Sequence, residues 1–292
     1  MTKKIPIAIL GTGNIGTDLL IKVLKSSYLE CVAFVGRNLN SSGMLRAASL
    51  GVNISDKGII YLEENKRLYD FVFDATSAKS HLINSKVFSK LKKKVIDLTP
   101  AKIGPMCVPS ISVSDFVEHG NVNMISCGGQ ASIPIAYAIT NFGKDDVEYI
   151  EVVSNIASRS AGPATRQNLD EYISTTEKGL SFFTNAKKVK AILNLNPAEP
   201  AIDMQTTILA KLKKTNLSEI KSNIDKIEKI VKTYVPGYKV IVGPLIDDSR
   251  VFVTVKVKGL GDYLPSFAGN LDIINCAAIA VAESSAKKYY GK

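Results

Sequence analysis

Apolar runs alternate with amphipathic segments over the first part of the chain. A segment with apolar residues at helical spacing follows the first apolar run, and similar segments separate the later apolar runs. The predicted strands cover residues 5–10, 31–36, 70–74, 94–98 and 121–125. The helices predicted between them include residues 41–50, 79–91 and 115–119. Such alternation favours a parallel sheet with right-handed crossover connections.

The pattern changes after residue 142 to longer strand-like segments with fewer helices. The predicted strands there cover residues 149–156, 189–195, 202–209 and 251–258, and one predicted helix ends near Phe183. Asn216 and Glu219 form a capping box before an amphipathic helix that Pro236 stops. Strands in succession with few helices indicate an α+β domain whose sheet is covered on one face. The predicted domains are residues 1–126 with 271–292, and residues 127–270, with the last helix packing back on the first domain.

A glycine-rich motif joins the first predicted strand to the first predicted helix. The G-x-G-x-x-G spacing in this context is typical of dinucleotide sites. Its glycines permit a tight turn, a close approach to a pyrophosphate and close packing of helix on strand. The phosphates then lie at a helix N-terminus. We therefore expect a dinucleotide on the loop of Gly11, Thr12, Gly13, Asn14, Ile15 and Gly16.

The end of the second predicted strand departs from the usual dinucleotide pattern. It lacks the acidic residue that binds the ribose 2′-hydroxyl and continues as Gly36-Arg37-Asn38 instead. An arginine here can accept a 2′-phosphate, which makes NADP an alternative to NAD. The other interpretation is that Arg37 covers the adenine.

Cys127 lies between a predicted strand and a helix predicted from Ala131. Free N–H groups and the helix dipole favour a thiolate at such a position. Gly128 and Gly129 let backbone amides approach the sulfur, or an oxyanion formed on it. The alternative is a buried structural cysteine. Because ligands of parallel sheets bind at the carboxyl ends of strands, we expect nucleotide and thiol to share one crevice.

Composition restricts the remaining chemistry. The chain has 292 residues, of which 46% are hydrophobic and 22% charged, as in soluble globular proteins. It has no apolar run of about 18 residues and no signal-peptide pattern, so we expect a cytoplasmic protein without a membrane span. The net charge is +10, but the lysines are scattered. This distribution favours a solvated surface over nucleic-acid binding, with a site for a polyanionic small molecule as the second interpretation.

The cysteines and histidines are too few and too dispersed for a structural metal site. The four cysteines contain no C-x-x-C pair, and we expect no metal and no disulfide framework. Cys31 and Cys276 are interpreted as core residues, and Cys107 as the one rival to Cys127. With only His81 and His119 available, backbone amides rather than an imidazole are the expected source of a reactive thiolate.

The chain resembles the acylating, CoA-dependent acetaldehyde dehydrogenases that partner 4-hydroxy-2-oxovalerate aldolases in bacterial catabolism. The matching motifs include Cys127-Gly128-Gly129-Gln130-Ala131 and Asn196-Pro197-Ala198-Glu199-Pro200. The other matching stretches are residues 13–19, 71–78, 96–101, 121–124, 160–163, 234–238, 263–265 and 268–273. They are collinear over nearly the whole chain.

The resemblance implies an NAD-binding Rossmann domain joined to a catalytic and dimerisation domain. It implies that Cys127 is the acyl-thioester nucleophile that converts a short-chain aldehyde, acetaldehyde first, to acyl-CoA with NAD and coenzyme A. It assigns cofactor contacts to residues 12–15, to Asn270 and to a polar loop. That loop consists of Ser158, Arg159, Ser160, Ala161, Gly162, Pro163, Ala164, Thr165 and Arg166.

The implied assembly is a homodimer that can join an aldolase. The alternatives are a related dehydrogenase with another acyl substrate, a CoA-independent oxidation, and a non-catalytic aldolase-binding subunit. The sequence departs from the family pattern where an aspartate follows the methionine after Asn-Pro-Ala-Glu-Pro, since Thr206 stands there. Asp203 precedes Met204, and its shift of three residues along a strand points to the other face. The segment between Tyr238 and Val251 is also shorter than in the family.

Overall fold

The computed structural model describes residues 4–112, 120–141, 143–144, 147–162, 165–166 and 168–289. The chain forms two compact units. Unit 1 comprises Met1–Met124, Asp262–Leu264 and Asn275–Lys292, and unit 2 comprises Ile125–Gly261 and Pro265–Ile274. The domain boundaries predicted from the sequence, between residues 126 and 127 and between residues 270 and 271, stay predictions.

Unit 1 contains a six-stranded sheet in which every pair is parallel. The strands are β1 (Ile5–Leu10), β2 (Leu29–Val35), β3 (Ile54–Ser55), β4 (Phe71–Asp74), β5 (Lys94–Asp97) and β6 (Asn121–Asn123). Their spatial order, β3-β2-β1-β4-β5-β6, is that of two mononucleotide-binding halves. The Rossmann prediction is therefore confirmed.

The helices that the structure describes between these strands alternate with them along the chain. They are α1 (Asn14–Lys25), α2 (Ser42–Ser49), α3 (Ile59–Glu64), α4 (Ala78–Lys90) and α5 (Pro109–Ser112). Strand β4 is buried at every position and β1 at all but one, as expected when helices cover both faces of a parallel sheet. The predicted helix at residues 115–119 lies outside the described residues.

Unit 2 contains a five-stranded mixed sheet of order β10-β11-β9-β7-β8. Its strands are β7 (Val147–Ala157), β8 (Lys188–Asn196), β9 (Met204–Leu212), β10 (Tyr238–Asp247) and β11 (Arg250–Val257). The helices are α6 (Cys127–Ile139), α7 (Leu169–Thr184) and α8 (Leu217–Lys232). Buried and half-buried positions alternate along β9 and β11, so one sheet face is covered and the other is more open, as predicted.

The last helix, α9 (Gly269–Tyr289), begins in unit 2 and continues into unit 1. In unit 1, the Asn275 amide donates to Asp18 Oδ2 at 2.7 Å and to the carbonyl of Ile15 at 3.3 Å. Further along, Glu283 accepts a hydrogen bond from Ser26. These contacts confirm that the C-terminal helix packs back on the Rossmann unit.

Several elements differ from the sequence predictions. Strand β10 was not predicted, because Gly243-Pro244 interrupts its alternation and its register with β11 shifts twice. The two-residue β3 and the short α3 were also missed. Helix α6 begins at Cys127 rather than Ala131, and β6 ends before Ile125, whose φ of 66° is incompatible with a strand. No helix in the described part of the chain is long and apolar enough to cross a membrane.

Candidate active site

The glycine loop between β1 and α1 has the geometry of a phosphate-binding turn. Gly11 has a φ of 109°, and a Cβ there would lie 2.5 Å from the carbonyl oxygen of Ala75. A Cβ on Gly16 would lie 1.8 Å from the carbonyl oxygen of Gly11. Side chains are therefore excluded at both positions by backbone atoms of the same unit.

Gly13 differs from the other two glycines because the space beside it is open. It is the N-cap residue of α1, and no described atom lies within 4 Å of the place a Cβ would occupy. Asn14, the first helical residue, is exposed, and Ile15 is half-buried. Thr12 packs its side chain against Gly36. The first-turn amides of α1 are thus accessible to an anion, which fits a dinucleotide phosphate.

Arg37 lies just beyond the end of β2 and is exposed. It has no ion-pair partner within the described residues. The neighbouring Asn38 accepts a hydrogen bond from the Asn40 amide at 2.9 Å, which shapes the turn after the strand. The guanidinium is therefore available to a ligand, and the choice between a 2′-phosphate and the adenine stays open.

A buried polar cluster lies at the carboxyl ends of β4 and β5. His81 Nδ1 is 2.8 Å from Asp74 Oδ2, and His81 Nε2 is 3.4 Å from Asp97 Oδ2. Asp74 also accepts from the Thr76 amide at 3.0 Å, and Asp97 accepts from the Thr99 amide at 2.7 Å. The cluster therefore fixes the turns that follow both strands. The sequence identified His81 only as one of two imidazoles and did not predict this cluster.

Electrostatics in this cluster favour protonation. Burial lowers the pKa of His81, but its hydrogen bond to Asp74 and the charges of Asp97 and Asp74 outweigh that effect, so the pKa is raised above 6.5. Burial raises the pKa of Asp97 to about 6, against the opposing effects of His81, Thr99 and Asn123.

Cys127 is the first residue of α6, with Ser126 as the N-cap. Ser126 Oγ accepts from the Gly129 amide at 2.9 Å and is 2.7 Å from Thr176 Oγ1. Ile125 adopts a left-handed conformation that is a genuine outlier for a β-branched residue. A Cβ on Gly129 would lie 2.8 Å from Ile125 Cγ2. The conformation of the turn before the thiol therefore depends on the Ser126 cap, on the left-handed backbone of Ile125 and on the absence of a side chain at Gly129.

The sulfur of Cys127 lies in a crowded environment, although the residue retains partial exposure. Burial raises the pKa of the thiol to about 11, while the Tyr172 hydroxyl and the backbone N–H groups of Gly128 and Cys127 lower it. The predicted amide interactions are present. Desolvation outweighs these donors, so the pKa of the thiol is raised and not lowered as the helix N-terminus alone would predict.

Thr206 and Asp203 occupy different environments in unit 2. Thr206 is fully buried on the covered face of β9, with its Oγ1 3.0 Å from Ser154 Oγ. Asp203 lies just before the strand, and its carboxylate is 4.0 Å from the ammonium of Lys256, a half-exposed residue of β11. Lys256 lies between the buried Val255 and Val257, so its side chain is on the more open face of the sheet. The carboxylate of Asp203 that pairs with it therefore lies on that side as well.

The polar loop after β7 is held largely by its own contacts. Arg166 donates to the carbonyl oxygens of Ala161 and Ser158, both at 2.9 Å. Arg159 forms an exposed ion pair with Glu199 at 2.6 Å. Ser160 is buried, while Gly162 and Thr165 are half-buried. Pro163 and Ala164 lie outside the described residues.

Asn270 is the most unusual of the predicted cofactor residues. Its side chain is only 1% exposed, near the start of α9 in unit 2. Neither its Oδ1 nor its Nδ2 has a hydrogen-bond partner among the described residues. Buried amides normally have partners, so this one fits a ligand that supplies a donor and an acceptor. The carboxamide of a nicotinamide has both.

The remaining cysteines provide less suitable nucleophiles. Burial raises the pKa of the half-buried Cys31 to about 12, and Cys107 and Cys276 are buried. The described residues contain no group of three or more histidine, cysteine or acidic side chains that could hold a metal ion.

Comparison with known proteins identifies close relatives along the whole chain. Residues 127–265 match the family model described as "Prokaryotic acetaldehyde dehydrogenase, dimerisation". An acetaldehyde dehydrogenase of Spirochaeta aurantia is 56% identical over 285 residues, covering 98% of this chain and 96% of that protein. Acetaldehyde dehydrogenases of Pectobacterium atrosepticum and Geobacillus thermodenitrificans are 55% and 47% identical, and the matches cover at least 95% of each chain.

Proposed function

Because this chain belongs to the acetaldehyde dehydrogenase family, we propose that it oxidises a short-chain aldehyde, acetaldehyde first, to acyl-CoA with NAD and coenzyme A. The observation that carries the proposal is the position of Cys127 at the first turn of α6, where two backbone N–H groups act on its sulfur. A thiol in that position suits the formation of a covalent acyl intermediate.

The proposed reaction begins with addition of the Cys127 sulfur to the aldehyde carbon. The carbonyl π electrons move to oxygen, and the first-turn amides of α6 stabilise the negative charge. NAD, when bound, supplies a hydride acceptor. Loss of hydride from the adduct leaves a thioester on Cys127. The thiol of coenzyme A loses its proton to solvent and attacks the thioester carbon, the bond from that carbon to the Cys127 sulfur breaks, Cys127 leaves as thiolate, and acyl-CoA is released.

Two features support NAD as the cofactor. In unit 1, the open space at Gly13 leaves the N-terminus of α1 accessible to a pyrophosphate. In unit 2, the unpartnered amide of Asn270 suits the carboxamide of the nicotinamide. The residues of the Ser158–Arg166 loop complete the proposed contacts to the cofactor. Within that loop, Arg166 contributes by hydrogen bonds to the backbone carbonyls of Ala161 and Ser158, which fix the conformation of the loop. NADP remains the alternative through Arg37.

We also propose that the protein forms a homodimer through unit 2, which carries the matched dimerisation region. Strand β10 is an edge of the sheet and exposes Ile241, Val242 and Leu245. Exposed apolar side chains on an edge strand are typical of an association surface. Leu245→Lys should shift the protein towards monomer in sedimentation velocity. Leu68→Lys, at an exposed leucine of unit 1, should not.

The proposed activity is tested by following NADH formation from acetaldehyde with and without coenzyme A, using NAD and NADP in parallel. We expect turnover that requires coenzyme A and is lost in Cys127→Ala. Cys31→Ala, at another partly exposed cysteine, should retain it. Equal turnover without coenzyme A would refute the acyl-transfer step and favour simple oxidation to the acid.

A second candidate is the same chemistry on another acyl group, which is suggested by Thr206 standing where the family pattern has an aspartate. Comparison of kcat/KM for acetaldehyde, propanal and longer aldehydes distinguishes the two. The proposed aldolase partnership is tested by size-exclusion chromatography of this protein mixed with a 4-hydroxy-2-oxovalerate aldolase. Failure to co-elute would remove that partner and leave the dehydrogenase proposal intact.

A further inference from the structure

The hydroxyl of Tyr172 is buried beside the candidate nucleophile. Tyr172 lies in the first turn of α7, and only 8% of the residue is exposed. A Cβ built on Gly128 would lie 2.0 Å from its Oη, so this oxygen occupies the space that a side chain next to Cys127 would fill. Within the described residues, the Oη has no hydrogen bond of ordinary geometry. A buried hydroxyl without a partner calls for an explanation.

Two further hydroxyls lie near the Tyr172 Oη, on the covered face of the unit 2 sheet. Ser154 Oγ lies 3.3 Å from the Cβ position of Gly128, and Thr206 Oγ1 is 3.0 Å from Ser154 Oγ. Ser154 is 1% exposed and Thr206 is fully buried. Three hydroxyls from α7, β7 and β9 therefore lead towards the first turn of α6, and hydrogen bonds in such a series strengthen one another.

We propose that the Tyr172 hydroxyl is a catalytic hydrogen-bond donor to the Cys127 thiolate, and that Ser154 and Thr206 orient it. In the step concerned, the S–H bond of Cys127 breaks, the proton passes to solvent water and the electron pair stays on sulfur. Tyr172 keeps its proton throughout. The inference rests on the proposed function only in that Cys127 is the nucleophile.

The direction of donation follows from the electrostatics. Burial holds the pKa of Tyr172 well above 10, so Tyr172 is neutral and acts as a donor rather than a base. Ser154 lowers that pKa, as a donor to the phenol oxygen does. Tyr172 in turn lowers the pKa of Cys127. A stabilising donor is needed there because desolvation of the sulfur opposes ionisation.

The test is the rate of alkylation of Cys127 by iodoacetamide, followed by peptide mass spectrometry from pH 7 to 10 in the full chain. Alkylation requires the thiolate, so its rate reports the ionised fraction. We expect Tyr172→Phe to slow alkylation about tenfold at a fixed pH, corresponding to a rise of about one unit in the pKa of the thiol. Ser154→Ala should cause a smaller shift in the same direction.

Tyr238→Phe is the matched control. Tyr238 is also fully buried, but its hydroxyl donates to the carbonyl of Ala131 in α6 at 2.8 Å. This variant should lower the melting temperature and leave the alkylation profile unchanged. Tyr172→Phe should change the melting temperature less than Tyr238→Phe does, because the Tyr172 hydroxyl has no hydrogen bond of ordinary geometry within the described residues.

An alkylation profile of Tyr172→Phe identical to that of the wild type would overturn the inference. The same conclusion would follow from an unchanged Ser154→Ala profile if Tyr172→Phe failed to fold. The assay contains neither aldehyde nor coenzyme A, so it does not depend on the proposed reaction. A shifted profile in a protein without CoA-dependent turnover would support the hydrogen bond and refute the proposed function.

Discussion

The Nδ1 atom of His81 lies 2.8 Å from Asp74 Oδ2, and both side chains are fully buried. Asp97 approaches the other ring nitrogen, so one imidazole connects two buried carboxylates at the ends of adjacent strands. Removing the imidazole leaves both carboxylates without this partner.

We predict that His81→Ala lowers the free energy of unfolding by about 3–5 kcal/mol, the usual cost of breaking a buried ion pair from one side. Chemical denaturation monitored by circular dichroism measures this change. Lys57→Ala is the control, because it breaks an exposed pair with Glu64 and should cost about 0–1 kcal/mol. Equal effects of the two variants would show that His81 is neutral and contributes no ion pair.

Stability should decrease as pH rises from about 4 through the folded-state pKa of Asp97 and then through the raised pKa of His81. The folded-state pKa of Asp97, about 6, exceeds its ordinary 3.8, so the folded protein binds a proton that the unfolded chain releases, and stability falls between those values. The raised pKa of His81 adds a contribution that is complete below 6.5 and is lost as pH rises through the folded-state pKa. The melting temperature should therefore be higher at pH 5 than at pH 8. Asp97→Asn should flatten the change below pH 6, and a wild-type profile that rises towards pH 8 would contradict the assignment.

Gly13→Ala should impair cofactor binding without unfolding the protein. The new methyl group meets no described atom, so the free energy of unfolding should change by less than about 1 kcal/mol. It would, however, occupy the approach of a pyrophosphate to α1, and the KM for NAD should rise about tenfold, equivalent to about 1.4 kcal/mol. Gly16→Ala is the contrasting variant, since its methyl group would lie against the Gly11 carbonyl and should destabilise unit 1. An unchanged KM in Gly13→Ala would remove the pyrophosphate from this loop.

Asn270→Ala should separate a cofactor role from a structural one. Because neither amide atom has a described partner, the free energy of unfolding should stay the same or increase slightly. Loss of the proposed hydrogen bonds should raise the KM for NAD by about tenfold, or about 1.4 kcal/mol. Asn275→Ala, which removes a bonded amide of the same helix, should instead lower the melting temperature. A fall in stability without a change in KM would make Asn270 a structural residue.

The sequence predicts what depends on neighbouring residues and misses what depends on distant ones. The glycine loop and the parallel strands follow from local patterns, and the order of strands from β1 to β6 agrees with them. The start of α6 was misplaced because two glycines follow Cys127, although Ser126 caps the helix before them. Strand β10 was missed because Gly243 and Pro244 interrupt it.

The chemistry around the thiol was predicted only in part. Backbone amides at Cys127 could be expected from a helix N-terminus, but the extent of desolvation depends on packing and raises the pKa instead. Tyr172, Ser154 and Thr206 belong to three separate elements, so no sequence spacing brings them together. Arg166 was predicted as a cofactor contact, and its bonds to the backbone of its own loop could not be foreseen.

The contact between Asn275 and Asp18 joins the last helix of the chain to the first. A ribosome makes the polypeptide from the N-terminus, so the first helix emerges long before its partner. The first unit therefore cannot reach its final packing until Asn275 has been made, after all residues of the second unit. Removing residues 275–289 should accordingly damage the packing of unit 1, although the Asp18 contact that is lost lies 257 residues earlier in the chain.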